Sequence, residues 1–181
     1  MQSPGQSLTF GRMIADSRTS VAFTGHRTYR GAAADALRRT VGELYARGFR
    51  NFLSGMAVGF DLAAAEAVLE LRERAPGVRL VAAVPFRGQE MRFSPADRER
   101  FRRVLAEADS VEVLAPAYHR GCYAVRNDFL VYNARVLVAW YDGSPGGTRY
   151  TVRRALGRGL EVVNLCPAAP VPPAPEPTLF G

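Results

Sequence analysis

The chain has 181 residues, of which 48% are hydrophobic and 23% charged, which suits one globular domain with a buried core and excludes an extended disordered protein. Its net charge is +7 and its basic residues are all arginines, which excludes a Schiff-base lysine and the lysine of a phosphate-binding P-loop. No apolar run approaches the roughly 18 residues that span a membrane, and the start lacks the apolar segment of a secretory signal, so we expect a cytoplasmic protein without a membrane partner.

The first half of the sequence alternates short apolar runs with amphipathic segments. The apolar runs predict strands over 20–25, 49–55 and 78–86. The spacing of apolar residues predicts helices over 33–48, 60–74 and 94–108. The last of these helices has a clear start signal, because Ser94 suits the N-cap and Pro95 the first helical position.

The same alternation continues through the second half, with strands predicted over 110–116, 135–143 and 160–166 and helices over 123–133 and 146–159. Alternating strands and helices predict βαβ units. We therefore expect an α/β fold, a Rossmann-like three-layer sandwich with a mainly parallel sheet of about six strands, over residues 19–167. Residues 1–18 are predicted to be a flexible segment and the proline-rich residues 168–181 a disordered tail.

Metal chemistry is not indicated by the cysteines and histidines. Cys122 and Cys166 lie far apart and match no metal-binding spacing, so we expect two reduced thiols. His26 and His119 are too few and too isolated for a zinc site.

Glycines and polar residues follow several of the predicted strands. Ligands of open parallel sheets bind beyond the carboxyl ends of the strands, so segments 24–27, 54–59, 85–89 and 142–148 should lie along one edge. Backbone without side chains lets a ligand approach, and the helix starts that follow favour an anion, phosphate above all. The candidate ligand-binding residues in these segments are Thr24, Gly25, His26, Arg27, Ser54, Gly55, Gly59, Gly146, Gly147 and Thr148.

Each charged candidate also has a plainer interpretation. His26 and Arg27 either hold a phosphate or carboxylate or form an exposed loop pair. Asp61 either caps its helix or accepts a hydrogen bond from a ribose hydroxyl. Glu66 lies roughly 140° around that helix from Asp61, and its apolar surroundings call for a partner. Arg126 and Asn127 lie on the helix before the fifth strand, where a buried or ligand-facing arginine is expected.

Five segments together resemble, in order, the motifs of a bacterial subfamily of the SLOG superfamily: TGHR, SGMAVGFDLAAAE, VPFRGQ, RNDFLV and WYDGSPGGTRYTV. This superfamily has a Rossmann-like fold and includes the LOG phosphoribohydrolases and the DNA-processing protein of natural transformation. The resemblance covers nearly all of residues 20–166. It implies a nucleotide or nucleotide-like ligand at residues 24–27, 54–61 and 146–148, with Arg126 and Asn127 nearby, and it implies a homodimer.

One departure from the resemblance bears on catalysis. Hydrolytic LOG enzymes carry a PGGxGTxxE motif whose glutamate serves cleavage of the N-glycosidic bond, whereas SPGGTRYTV places Val152 there. Without that acid the same hydrolysis is not expected.

We therefore favour a protein that binds or senses a nucleotide or nucleotide-derived ligand without LOG-type hydrolysis, and we identify no further cofactor. One alternative is an N-glycosidase acting on a nucleotide derivative, with Asp61 or Glu66 as the acid. A second alternative is single-stranded DNA binding, which requires arginines to converge on one groove.

Overall fold

The computed structural model describes residues 16–167, which form six strands and five α-helices in strict alternation. The strands are β1 (Ser20–Gly25), β2 (Asn51–Ser54), β3 (Arg79–Val84), β4 (Ser110–Val113), β5 (Val136–Trp140) and β6 (Glu161–Asn164). The helices are α1 (Ala34–Ala46), α2 (Phe60–Arg72), α3 (Pro95–Glu107), α4 (Cys122–Tyr132) and α5 (Gly147–Gly157).

The six strands form one parallel sheet in the order β4-β3-β2-β1-β5-β6. The chain adds strands in one direction from β1 to β4 and then returns to place β5 on the other side of β1. In the β1–β5 register, Thr24 lies opposite Ala139 and Gly25 opposite Trp140. This reversal creates a switch point at the carboxyl ends of β1 and β5, where open α/β sheets form a ligand-binding crevice.

Both faces of the sheet are covered, because successive residues of each strand point to opposite sides. On one face, Val21 and Phe23 of β1 pack with buried residues of α1, α2 and α3. On the other face, Ala22 packs with buried residues of α4 and α5. The predicted three-layer Rossmann-like sandwich is therefore confirmed.

The predicted elements all occur, and their ends differ from the prediction by a few residues. The strand predicted over 49–55 is β2, which is shorter because the Phe49 amide bonds the Leu44 carbonyl and so closes helix α1. Ser94 caps α3 as predicted, since its Oγ accepts a hydrogen bond from the Asp97 amide at 3.1 Å. A 3-10 helix at Gln89–Arg92 was not predicted.

The predicted flexible segment and tail fall largely on residues 1–15 and 168–181, which lie outside the described residues. Ser17–Thr19 form a 3-10 helix, which Asp16 caps by accepting a bond from the Arg18 amide at 3.0 Å, so regular structure begins before residue 19. Cys122 and Cys166 are buried free thiols. Across residues 16–167, each helix is too short or too polar to cross a bilayer.

Candidate functional site

A cavity of about 360 Å³ opens at the switch point between β1 and β5. Its walls come from the end of β1, the start of α2, one face of α4 and the start of α5. The lining residues are Thr24, Gly25, His26, Arg27, Ala57, Asp61, Tyr123, Arg126, Asn127, Gly147 and Thr148. Four segments that are distant in sequence thus meet at the sheet edge where sequence analysis placed the ligand.

Nine of the predicted candidates line this cavity, and five do not. Those that line it are Thr24, Gly25, His26, Arg27, Asp61, Arg126, Asn127, Gly147 and Thr148. Those outside its wall are Ser54, Gly55, Gly59, Glu66 and Gly146. Sequence analysis missed Ala57 and Tyr123, although Tyr123 lies three and four residues before Arg126 and Asn127 on one helix, a spacing that places all three on one face.

The loop between β2 and α2 is held rigidly beneath the cavity. Ser54 is buried, and its Oγ donates to the Asp61 carbonyl at 2.9 Å and accepts from the Met56 amide at 3.2 Å. Met56 has a left-handed φ of 59°, and its carbonyl accepts a bond from Gln89 Nε2 at 2.5 Å. Such a backbone conformation persists only where its surroundings enforce it. The loop therefore presents Ala57 and Asp61 to the cavity in a fixed position.

Gly55 and Gly59 lie where protein segments pack closely against each other. A Cβ on Gly55 would come within 2.6 Å of Arg126 Nη1 and 2.7 Å of Asp61 Oδ2. A Cβ on Gly59, where φ is +83°, would come within 2.6 Å of the Arg27 carbonyl oxygen. Both glycines therefore let protein segments approach more closely than a residue with a Cβ would allow.

The floor of the cavity contains a buried acid and a buried arginine. Asp61 and Arg126 have side chains only 5% and 7% exposed, with 3.8 Å between Arg126 Nη1 and Asp61 Oδ2. The hydrogen bonds of Arg126 go to other groups. Its Nη1 donates to the Gly55 carbonyl, and its Nε donates to Asn127 Oδ1 at 2.7 Å. The two charges are therefore near neighbours without a close hydrogen bond between them.

Asp61 is left incompletely satisfied. Its Oδ2 accepts a long bond of 3.4 Å from the Ala57 amide, and its buried Oδ1 has no hydrogen bond of normal geometry among the described residues, although the Gly25 amide also acts on this carboxyl and lowers its pKa. Burial raises the pKa of Asp61 from 3.8 to about 6, and the positive charge of Arg126 offsets part of this rise. Burial also lowers the pKa of the Arg126 guanidinium. A buried acceptor without a hydrogen bond is rare in native proteins, and here it belongs to a residue that lines a cavity.

The start of α5 forms a second polar wall. Its N-cap is Gly146, with a φ of 138°, and no side chain caps the first amides of the helix. Gly147 and Thr148 line the cavity at this uncapped end. Free amides at a helix start, together with the helix dipole, suit an anion.

His26 joins the end of β1 to the loop after β5. Its Nε2 lies 2.7 Å from Asp142 Oδ1 and 3.2 Å from the Asp142 amide. Asp142 is itself held by the amide and hydroxyl of Ser144, which lower the pKa of its carboxyl. His26 therefore has a fixed orientation at the cavity rim, whereas the neighbouring Arg27 is exposed and stacks over the Tyr123 ring at 5.1 Å.

Glu66 lies away from the cavity, on the face of α2 that meets α3. It has the expected partners, since Arg100 Nε and Nη2 bond its two oxygens at 2.9 Å each and Arg103 bonds Oε1 at 3.1 Å. Val152 occupies the position of the LOG glutamate. It is 1% exposed and lies on the buried side of α5, where it packs in the core. Among the described residues that line the cavity, Asp61 is the only acid.

Bacterial relatives match parts of this chain. The UPF0398 protein ABC2016 of Shouchella clausii is 38% identical over 94 residues, which make up 50% of this chain and 50% of that protein. A UPF0398 protein of Bacillus thuringiensis is 29% identical over 132 residues, 71% of each protein. The chain thus aligns with about half the length of the first relative.

Two solved structures share the fold. DNA processing protein A from Streptococcus pneumoniae has a TM-score of 0.59 at 20% identity, covering 80% of this chain and 49% of that one. The same protein from Helicobacter pylori has a TM-score of 0.55 at 14% identity, covering 81% of this chain and 65% of that one. At these identities the likeness concerns the fold alone.

A family model matches much more of the chain than half. The model is named YpsA, is described as the YspA SLOG family, and matches residues 22–159. This range runs from β1 through the whole of α5 and includes every residue that lines the cavity. The chain belongs to this SLOG family.

Proposed function

We propose that the chain binds or senses a nucleotide, or a small molecule derived from one, in the cavity at the β1–β5 switch point. The observation that carries the proposal is that the buried carboxyl residue Asp61 and the uncapped start of α5 line the same cavity. A nucleotide offers the matching groups in one molecule, since its sugar hydroxyls donate hydrogen bonds and its phosphate is an anion.

The phosphate is assigned to the start of α5 and to Arg27. Gly147 and Thr148 offer helix-start amides, and Arg27 forms no ion pair within the described residues. An arginine fork binds phosphate in two-point fashion, which makes it suitable in a chain that contains no lysine.

A sugar hydroxyl is assigned to Asp61, because a hydroxyl donates readily to a carboxylate and Asp61 is the acid among the described lining residues. Asn127 lies beside Arg126 and adds an amide to the same floor. The volume of about 360 Å³ falls within the range of small-molecule sites and suits a ligand of about nucleotide size.

Comparing nucleosides with their monophosphates tests the phosphate assignment. We expect each bound nucleoside 5′-monophosphate to bind at least about tenfold more tightly than its nucleoside in calorimetric titrations, since a charge-assisted phosphate contact is lost with the nucleoside. Replacing Arg27→Ala should remove most of this difference. The matched control is Arg74→Ala, an equal loss of charge beyond the far end of α2, roughly 20 Å away along that helix.

Equal affinity for nucleosides and monophosphates, or equal effects of the Arg27 and Arg74 substitutions, would contradict the assignment. Mass spectrometry of small molecules released from the purified protein identifies the base independently. A ligand that binds only the folded protein also raises its melting temperature, which gives a rapid screen.

An N-glycosidase is a second candidate, favoured by one observation. Asp61 lies in the cavity with a pKa of about 6, so a fraction of it is protonated near neutral pH and could assist departure of a base. Glu66 is not proposed for this role, because it is engaged by Arg100 and Arg103 outside the cavity. Release of free base from a bound nucleotide, lost in Asp61→Asn, would support catalysis.

Single-stranded DNA binding is the remaining alternative. It is favoured by the net charge of +7 and by the fold shared with the Helicobacter pylori protein, whose structure was described for its single-stranded DNA binding mode. Affinity for a strand should fall steeply with salt. Tight, salt-sensitive binding of oligonucleotides without binding of monophosphates would favour this alternative over the nucleotide.

A further inference from the structure

A row of aromatic rings leads outward from the cavity. Tyr123 lines the cavity, and its ring centroid lies 5.9 Å from that of Phe86 and 6.4 Å from that of Tyr118. Phe86 and Tyr118 meet edge to face at 5.4 Å. We call Phe86, Arg92, Tyr118 and Tyr123 the aromatic shelf. Phe86 is buried and Tyr123 half-buried, whereas Tyr118 is 52% exposed, so the shelf presents one open ring just outside the cavity.

Unpaired arginines accompany these rings. Arg92 lies over Tyr118 at 4.6 Å and over Phe86 at 5.8 Å, and Arg27 lies over Tyr123 at 5.1 Å. Neither arginine forms an ion pair with any residue in the described range 16–167. The shelf therefore combines a half-exposed aromatic ring with the positive charge of Arg92, which forms no ion pair among the described residues.

This combination is the one that binds a nucleobase next to a phosphate. Bases stack on aromatic side chains whatever their identity, and guanidinium groups add to the stack and attract phosphate. The cavity alone holds about one nucleotide, and the shelf continues from its wall through Tyr123.

We propose that the shelf holds the second base of a dinucleotide, two nucleosides joined through phosphates, whose first nucleotide occupies the cavity. This inference rests on the proposed function. Tyr118 is the one half-exposed ring of the shelf, so the shelf can stack one further base and not the successive bases of a nucleic acid strand. Arg27, between the cavity and the shelf, lies where the linking phosphates of such a ligand would pass.

Calorimetric titration tests the shelf with defined probes. The four nucleoside 5′-monophosphates are titrated first, followed by the symmetrical dinucleoside diphosphate of the base that binds most tightly. We expect the dinucleotide to bind about tenfold more tightly than the monophosphate, from one additional stacked base. Tyr118→Ala and Arg92→Ala should each remove most of that gain and leave the affinity for the monophosphate unchanged, and Tyr118→Phe should retain the gain.

The chain offers a matched control at the opposite end of α4 from Tyr123. Tyr132 is 50% exposed and has Arg158 stacked over its ring at 3.8 Å, yet neither residue lines the cavity. Tyr132→Ala therefore removes a similar exposed ring and should leave both affinities unchanged. Equal melting temperatures for the Tyr118 and Tyr132 variants would establish that both are folded.

The outcomes separate the two proposals. If a monophosphate binds and the dinucleotide binds no more tightly, or if Tyr118→Ala and Tyr132→Ala behave alike, the shelf is excluded while the cavity assignment stands. If no monophosphate and no dinucleotide binds, both proposals fail. A ten-residue single strand of the same base that binds far more tightly than the dinucleotide, with steep salt dependence, would overturn the dinucleotide in favour of nucleic acid.

Discussion

Two of the three acids of helix α2, Asp61 and Glu66, lie five residues apart and contact arginines in different ways. Glu66 is about 30% exposed and receives three hydrogen bonds of 2.9–3.1 Å from Arg100 and Arg103. Asp61 is almost fully buried, lies 3.8 Å from Arg126, and has one oxygen without a hydrogen bond of normal geometry to any residue of 16–167. The more accessible acid is the better satisfied of the two, the reverse of what stability alone would favour.

The contrast indicates which acid serves the structure and which serves the cavity. Glu66 joins α2 to α3, and its arginines satisfy it completely without any ligand. The arrangement around Asp61 includes the left-handed Met56, the tightly packed Gly55 and a carboxyl whose pKa is raised by burial. Strain and unsatisfied polar groups of this kind cluster at functional sites.

The largest expected effect is the difference in unfolding free energy between a variant that lacks the arginine beside Asp61 and one that lacks an arginine beside Glu66. Arg126→Met leaves the buried carboxylate of Asp61 without its neighbouring charge and the Gly55 carbonyl without its donor, so we expect a loss of roughly 3–5 kcal/mol in the free energy of unfolding at pH 7. The control Arg100→Met leaves Glu66 accessible to water and to Arg103, and should cost about 1 kcal/mol or less. Urea denaturation measures both, and similar losses would remove the distinction between the two pairs.

A smaller effect is expected in the pH dependence of the free energy of unfolding, to which the buried Asp61 contributes. Because burial holds the pKa of Asp61 at about 6 rather than 3.8, the native state binds this proton at a higher pH than the unfolded state does. Its contribution to stability is therefore greatest at acidic pH and is lost as pH rises through 6. The free energy of unfolding of the wild type, relative to that of Asp61→Asn, should rise by about 2 kcal/mol between pH 7 and pH 4. A difference that stays constant across this range would show that Asp61 titrates normally in the folded protein.

The fold was predictable because each element carries its own local signal. Apolar runs gave the six strands, amphipathic spacing gave the helices, and Ser94 with Pro95 located the start of α3. The parallel sheet follows from the alternation of elements, and it brings the loops after β1, β2 and β5 to one edge. The position of these loops at one sheet edge was enough to predict where the cavity lies.

The chemistry inside the cavity depends on contacts between distant segments, which local patterns do not encode. Nothing near Asp61 in the sequence indicates Arg126, 65 residues away, and nothing near Glu66 indicates Arg100. The local sequence also does not show that Gly55 and Gly59 accommodate Arg126 and the Arg27 carbonyl. Helical spacing from Arg126 is the one available signal for Tyr123.

The central claim is that Asp61 faces a nucleotide and Glu66 does not. The most direct test titrates the tightest-binding nucleoside monophosphate into the wild type, Asp61→Asn and Glu66→Gln at pH 7 in a calorimeter. We predict that Asp61→Asn weakens binding by about tenfold or more, since a hydrogen bond to a buried charge is lost, and that Glu66→Gln changes it by less than about twofold. Wild-type protein that binds no monophosphate, or an Asp61→Asn variant that binds as tightly as the wild type, would contradict the account.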